Sequence, residues 1–159
     1  KQANRQENFD VALGAVKYAF LKNRIGADFI FDPIESVSLQ GNSGPYLQYA
    51  YVRAKSILSK SETNSNLQPV TSNLEVDERS LVRKIGEFAE VVEQATNDLL
   101  PSHICTYLYE LAQNFNRFYE KNRILGDERE AVRLKLVEAY TKVLKDGLQL
   151  LNIAAPEKM

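Results

Sequence analysis

The stretch GNSGPYLQYAYVRAKSIL, residues 41–58, decides how the rest of the chain is read. Ser43 or Gly44 can cap a helix, and Pro45 falls in its first turn, where the missing N–H of proline costs no hydrogen bond. A helix over about 45–60 follows. Leu47, Ala50, Ala54 and Ile57 recur at steps of three and four and predict its buried stripe. Tyr46, Tyr49 and Arg53 form a second stripe about 100° away from the first. Two readings of that second stripe are open: exposed aromatics beside a cation, which suit unpaired nucleobases, or core tyrosines with satisfied hydroxyls.

Working outward, other segments repeat the helical period. Phe9, Leu13, Val16 and Phe20 step by four, three and four and predict a first helix with that face buried. The segment 27–45 is rich in turn formers and lacks a helical period, and Phe29, Phe31 and Ile34 are expected to pin it onto a core. Residues 59–76 are dominated by Ser, Thr and Asn and read as a mobile polar loop. A helix is expected from about Asp77 to Leu99 with Leu81, Ile85, Phe88, Val92, Ala95 and Leu99 inside and an acidic outer face. Pro101 separates it from a helix with Ile104, Leu108, Leu111, Phe115 and Phe118 as its core face. Gly126 ends that helix, and Asp127 is the candidate N-cap of a last one facing inward through Val132, Leu136, Ala139, Val143 and Leu150 or Leu151. No segment alternates as a strand. The expected fold is an all-α bundle of about five helices.

Composition bounds the function. The chain has 159 residues, 44% of them hydrophobic and 26% charged, with a net charge of −1. Bulk electrostatic attraction to nucleic acid is therefore excluded, and any basic surface must be local. Residues 1–60 carry eight Lys or Arg against five Asp or Glu, leaving twelve against sixteen for the remainder. No apolar run approaches the roughly 20 residues of a membrane span, and one cysteine, Cys105, fits a reducing compartment, so a cytoplasmic location is expected. The leading Lys suggests an excised piece of a longer protein. Phosphate-binding loops, H-E-x-x-H and paired C-x-x-C are missing, so no catalytic residue is named. His103 and Cys105 form an isolated H-x-C, one pair short of a tetrahedral zinc site, and no metal is expected; Cys105 reads as a small buried hydrophobe and His103 as a partly exposed first-turn residue.

The combination of motifs resembles class I arginyl-tRNA synthetases. GNSGPYLQYAYVRAKSIL resembles the segment leading into that family's anticodon-binding domain, LPSHICTYLYELAQNFNRFYEKNRIL its YL..LA..FN.FY helix, and REAVRLKLVEAYTKVLKDGLQLLNI its VL..GL.LL.I helix. The chain stops at PEKM, close to the family's terminal P-E-R-M, while ENFDVALGAVKYAFL and FIFDP resemble the end of the catalytic region. The resemblance implies residues 1–40 as the end of that region and 41–159 as a helical anticodon-binding domain. It implies a full enzyme, a cytosolic monomer, that joins arginine to tRNA(Arg) with ATP and magnesium. This piece would lack the nucleotide motifs and any cofactor, and would be inactive alone; its partners would be tRNA(Arg) and the missing catalytic domain. Carried over by motif, Tyr46, Tyr49, Tyr119 and Met159 would receive the splayed anticodon loop, with Arg53 touching a phosphate or base. Gln48, Asn116, Arg123 and Lys158 are weaker candidates. Family members commonly have His at Tyr51, Arg at Lys158 and Gly at Asn152; Lys158 loses the planar fork of arginine, whereas Asn152 can still adopt a left-handed turn. The alternative is a helical protein-interaction module whose tyrosines form an interface hot spot.

Overall fold

The computed structural model describes residues 2–61 and 73–159, with side chains from residue 8 onward. Within them every regular element is helical: α1 (Gln2–Leu21), the single turn α2 (Pro33–Ser36), α3 (Gly44–Ser59), α4 (Val76–Gly86), α5 (Phe88–Asp98), α6 (Ser102–Lys121) and α7 (Glu130–Leu150). Most of the polar loop expected over 59–76 lies outside the described residues.

Three helices set the centre. α3 packs on α7, α6 packs on both, and α4 and α5 cover the far side of α6. All five expected core residues of α6 are buried, as are Leu47, Ala50, Ala54 and Ile57 of α3. Ser43 caps α3, its Oγ accepting from the Tyr46 N–H at 3.1 Å. At the middle of the bundle Phe115 of α6 lies face to face with Tyr140 of α7, ring centroids 4.0 Å apart and planes 8° from parallel.

The structure corrects four sequence expectations. In α1 the face named for the core is outside: Phe9, Leu13, Val16 and Phe20 are 60%, 38%, 44% and 55% exposed, while Ala15, Tyr18 and Ala19 are buried. The small residues win because α1 and α3 approach so closely that a Cβ on Gly44 would sit 2.5 Å from the Gly14 carbonyl oxygen. The 27–45 connector does not pin to the core either. Phe29 and Phe31 pack on the exposed Phe20, and Ile34 is solvent-facing.

The long helix expected over 77–99 breaks at Gly86 into α4 and α5. Tyr107 of α6 accommodates the break, stacking on Phe88 and donating its hydroxyl to the Lys84 carbonyl at 2.8 Å. Leu99, expected inside, is an exposed C-cap with φ of 56°. Finally, α7 starts three residues after Asp127, whose Oδ1 instead takes the Arg129 N–H in a preceding turn. Its inner face centres about one residue away, on Leu134, Val137, Tyr140, Leu144 and Leu148; of the expected residues Leu136 and Leu151 are buried and Leu150 is exposed.

That turn serves a charged cluster. Arg133 is buried beside the fully buried Glu78, its Nε 3.2 Å from Oε1, and Arg129 reaches both carboxylate oxygens of Glu78. Glu75 and Asp127 complete the arginines' partners. Bonds from Arg129 above all hold the Glu78 carboxyl down at about 2 against an ordinary value of 4.5. Because the folded value is the lower one, the stabilisation is complete above pH of about 4.5 and is lost as pH falls toward about 2. Urea titrations across that acid range are expected to show a Glu78→Gln chain with a flatter pH dependence than the parent, and Glu78→Ala is expected to cost about 3 kcal/mol at neutral pH because the buried Arg133 loses the one fully buried carboxylate among its partners.

Candidate functional site

An opening of about 790 Å³ lies between the C-terminal halves of α3 and α6 and the strap 122–125 that leaves α6. Helical spacing places its side chains: Tyr49, Arg53, Ser56 and Lys60 step by four, three and four along one stripe of α3. Tyr119 and Lys121 come from the end of α6, and Ile124 and Leu125 supply an apolar wall. Four cations, Arg53, Lys60, Lys121 and Arg123, line the cavity against one carboxylate, Glu120. A chain of near-zero net charge thus gathers a positive field in one place.

Arg53 is the cation of the group that lies over an aromatic ring. Its Cζ lies 4.3 Å from the centroid of the Tyr119 ring, and its Nη1 is 3.5 Å from Asn116 Oδ1. Asn116 in turn donates to the Tyr46 hydroxyl at 2.8 Å, and Tyr46 sets its ring edge against Tyr109. Tyr119 continues inward through Phe115 to Tyr140. Tyr46, Arg53 and Tyr119 therefore belong to one packed network. Burial pushes the Tyr46 phenol above its ordinary range, and the hydrogen bond from Asn116 opposes that shift.

The other named residues fall in different places. Tyr49 is 43% exposed and free to offer a ring face to the cavity. Tyr46 is half-buried behind Arg53 and does not line the opening. Arg123 does, its Nε donating to the Leu125 carbonyl. Gln48 has no exposed surface; its Nε2 donates to the Ala154 carbonyl at 2.8 Å and approaches the Asp10 carbonyl at 3.4 Å. With Lys17 on the Asn152 carbonyl and the Lys55–Glu157 ion pair, Gln48 fixes the C-terminal tail to α1 and α3. Asn152 turns that tail at φ of 54°. Lys158 and Met159 project into solvent and neither lines the cavity.

Sequence reasoning missed Lys60 and Tyr109. Lys60 was discoverable, since it continues the Tyr49, Arg53, Ser56 stripe by one more turn. Tyr109 faces Tyr46 on α3 and carries no such local signal. Among the described residues no group of three His, Cys, Asp or Glu side chains is placed to hold a metal, and no helix is long and apolar enough to cross a membrane. Cys105 is buried, and His103 is half-exposed and pairs with Asp98 at 2.8 Å.

Residues 47–159 match the DALR anticodon binding domain family. Similar proteins include the arginine–tRNA ligase of Synechococcus sp., 42% identical over 153 residues, and that of Haemophilus influenzae, 43% identical over 155 residues. Each alignment covers 94% of this chain but only 26% and 27% of the relative, so the chain spans about a quarter of their length. Among solved structures, Thermus thermophilus arginyl-tRNA synthetase superposes with a TM-score of 0.86 at 34% identity, over 94% of this chain and 26% of the synthetase. The Plasmodium falciparum arginyl-tRNA synthetase gives 0.86 at 29% identity, over 97% and 28%.

One polar atom beneath the cavity has no hydrogen-bond partner among the described residues: the Tyr140 hydroxyl, sealed in the core under Tyr46 and Arg53, where burial raises its pKa well above the ordinary value. Removing it leaves the Phe115 stack intact. Thermal unfolding is therefore expected to show Tyr140→Phe equal to the parent or more stable by up to about 1 kcal/mol, where a hydroxyl that helped hold the core would give a loss of the same size.

Proposed function

The chain belongs to the DALR anticodon binding domain family, and from that membership we propose that it is the tRNA-recognising part of an arginine–tRNA ligase. Residues 41–159 form its anticodon-binding domain and 1–40 the end of the catalytic region. The full enzyme charges tRNA(Arg) with arginine in the cytoplasm, and ATP and magnesium belong to the portion this chain lacks.

The observation that supports the reading is the cavity between α3 and α6. It combines an exposed tyrosine ring, a guanidinium held over a second ring and three further cations, the set that unpaired nucleotides require. Each base has a π-face that can lie on Tyr49, and the phosphates around it can be met by Lys60, Lys121 and Arg123. Arg53 offers remaining N–H groups to a phosphate or a base edge. Tyr119 acts mainly as the seat of Arg53. Gln48 acts indirectly, by fixing the tail that ends in Lys158 and Met159; in the full enzyme bound to tRNA that tail reaches the loop. The apolar stripe of α1, with Phe29 and Phe31 beside it, is covered by the rest of the ligase.

A gel-shift titration with arginine tRNA, a version with a changed anticodon and a non-cognate tRNA tests partner and site together. Cognate tRNA is expected to bind tightest, with an affinity that falls as salt rises. Tyr49→Ala and Tyr119→Ala are each expected to weaken binding roughly tenfold. Equal binding of all three RNAs, or undiminished binding by both variants, removes the cavity from the recognition site. RNA-independent capture of a protein partner with no tRNA bound would favour an interaction module instead.

A further inference from the structure

Asn116 was expected to touch tRNA, yet it does not line the cavity. It stands between α3 and α6 with its amide engaged at both ends. Arg53 has only donors, so the amide oxygen must face it, and the nitrogen then faces the Tyr46 oxygen; this one orientation satisfies both contacts. The Tyr46 ring is itself braced against Tyr109. The guanidinium is thereby held on two sides, by an amide at its edge and by the Tyr119 ring against its face.

The chemistry of the anchor matters. Among the described residues no carboxylate lies within ion-pair distance of Arg53, whereas Lys55, Lys84, Arg129 and Arg133 each pair with one. Asparagine restrains a long, rotamer-rich side chain without cancelling its charge. A free arginine would have to lose that mobility on meeting RNA, and an acid-paired one would have to give up its partner.

We propose that Asn116 is a positioning residue of the RNA site: it holds the Arg53 guanidinium flat on Tyr119, ordered and still fully charged, and makes no contact with RNA itself. This rests on the reading of the cavity as the tRNA site. Its consequence is that the affinity contributed by Asn116 passes entirely through Arg53.

A double-mutant cycle in the full chain tests this, with a fluorescein-labelled hairpin RNA carrying an arginine anticodon loop as probe. Kd is read by anisotropy at several salt concentrations, with thermal unfolding followed in parallel. Arg53→Ala is expected to weaken binding about tenfold and to lower the salt slope by about one. Asn116→Ala is expected to cost about fivefold alone and nothing further in the Arg53→Ala background. Asn116→Asp keeps the size of the side chain and neutralises Arg53, so it is expected to lower both affinity and salt slope while preserving the fold.

The same loss from Asn116→Ala with or without Arg53 would overturn the proposal, since the residue would then act on RNA or on the fold independently. So would parental binding by Asn116→Ala, or, if that variant does not fold, parental affinity and slope for Asn116→Asp. Parental binding by Arg53→Ala would overturn the cavity reading and this proposal with it, which distinguishes the two failures.

Discussion

The face-to-face contact between Phe115 and Tyr140 locks α6 to α7, and the position of α6 sets the wall of the cavity that faces α3. From Phe115 the packing passes to Tyr119 one turn later, then to Arg53 on α3, then back through Asn116 to Tyr46. Core and site are thus one aromatic stack, hydrophobic at its inner end and charged at its outer end. Rings with few rotatable bonds lose little freedom on burial, and each fixes the plane of the next. A leucine core would fill the same space without fixing the angle of a guanidinium.

The buried ion cluster does complementary work beside the cavity, Arg133 Nη1 donating to the carbonyl of Arg123 in the strap. Glu78 on α4 meets Arg133 on α7 and Arg129 just before it, joining helices on either side of α6. Such a cluster is a poor source of net stability, because desolvation of the ions offsets most of their attraction. What it contributes is register: the arginines meet Glu75, Glu78 and Asp127 together in one alignment of α4 against α7, as found.

How far the sequence could be read follows from the same division. α3 and α6 were legible because each buries one face against neighbours present in the chain, so three-and-four spacing maps directly onto burial. α1 was misread because two apolar surfaces competed. The large one, Phe9 to Phe20, had the stronger pattern, but the small one around Gly14, Ala15 and Ala19 allowed the close approach to Gly44. α7 was rotated because Arg133, which local pattern counts as polar, is buried by its acidic partners. In the site, Tyr49 and Arg53 were visible as a stripe, and the resemblance to a family supplied Tyr119. The placement of Asn116 between Arg53 and Tyr46 was not visible, since it depends on contacts across 63 and 70 positions of sequence. Met159 shows the converse: a residue carried over by motif that the fold leaves in solvent, away from the cavity wall.

Cys105, the chain's one cysteine, lies almost wholly enclosed under Tyr18, whose hydroxyl sits 3.0 Å from the Cys105 carbonyl, and burial pushes its thiol up to about 12. A maleimide or disulfide reagent reaches it only when the interface of α1 with α6 parts. The rate of its alkylation is therefore an intrinsic clock for that opening, and it reports on stability at a point remote from the cavity between α3 and α6.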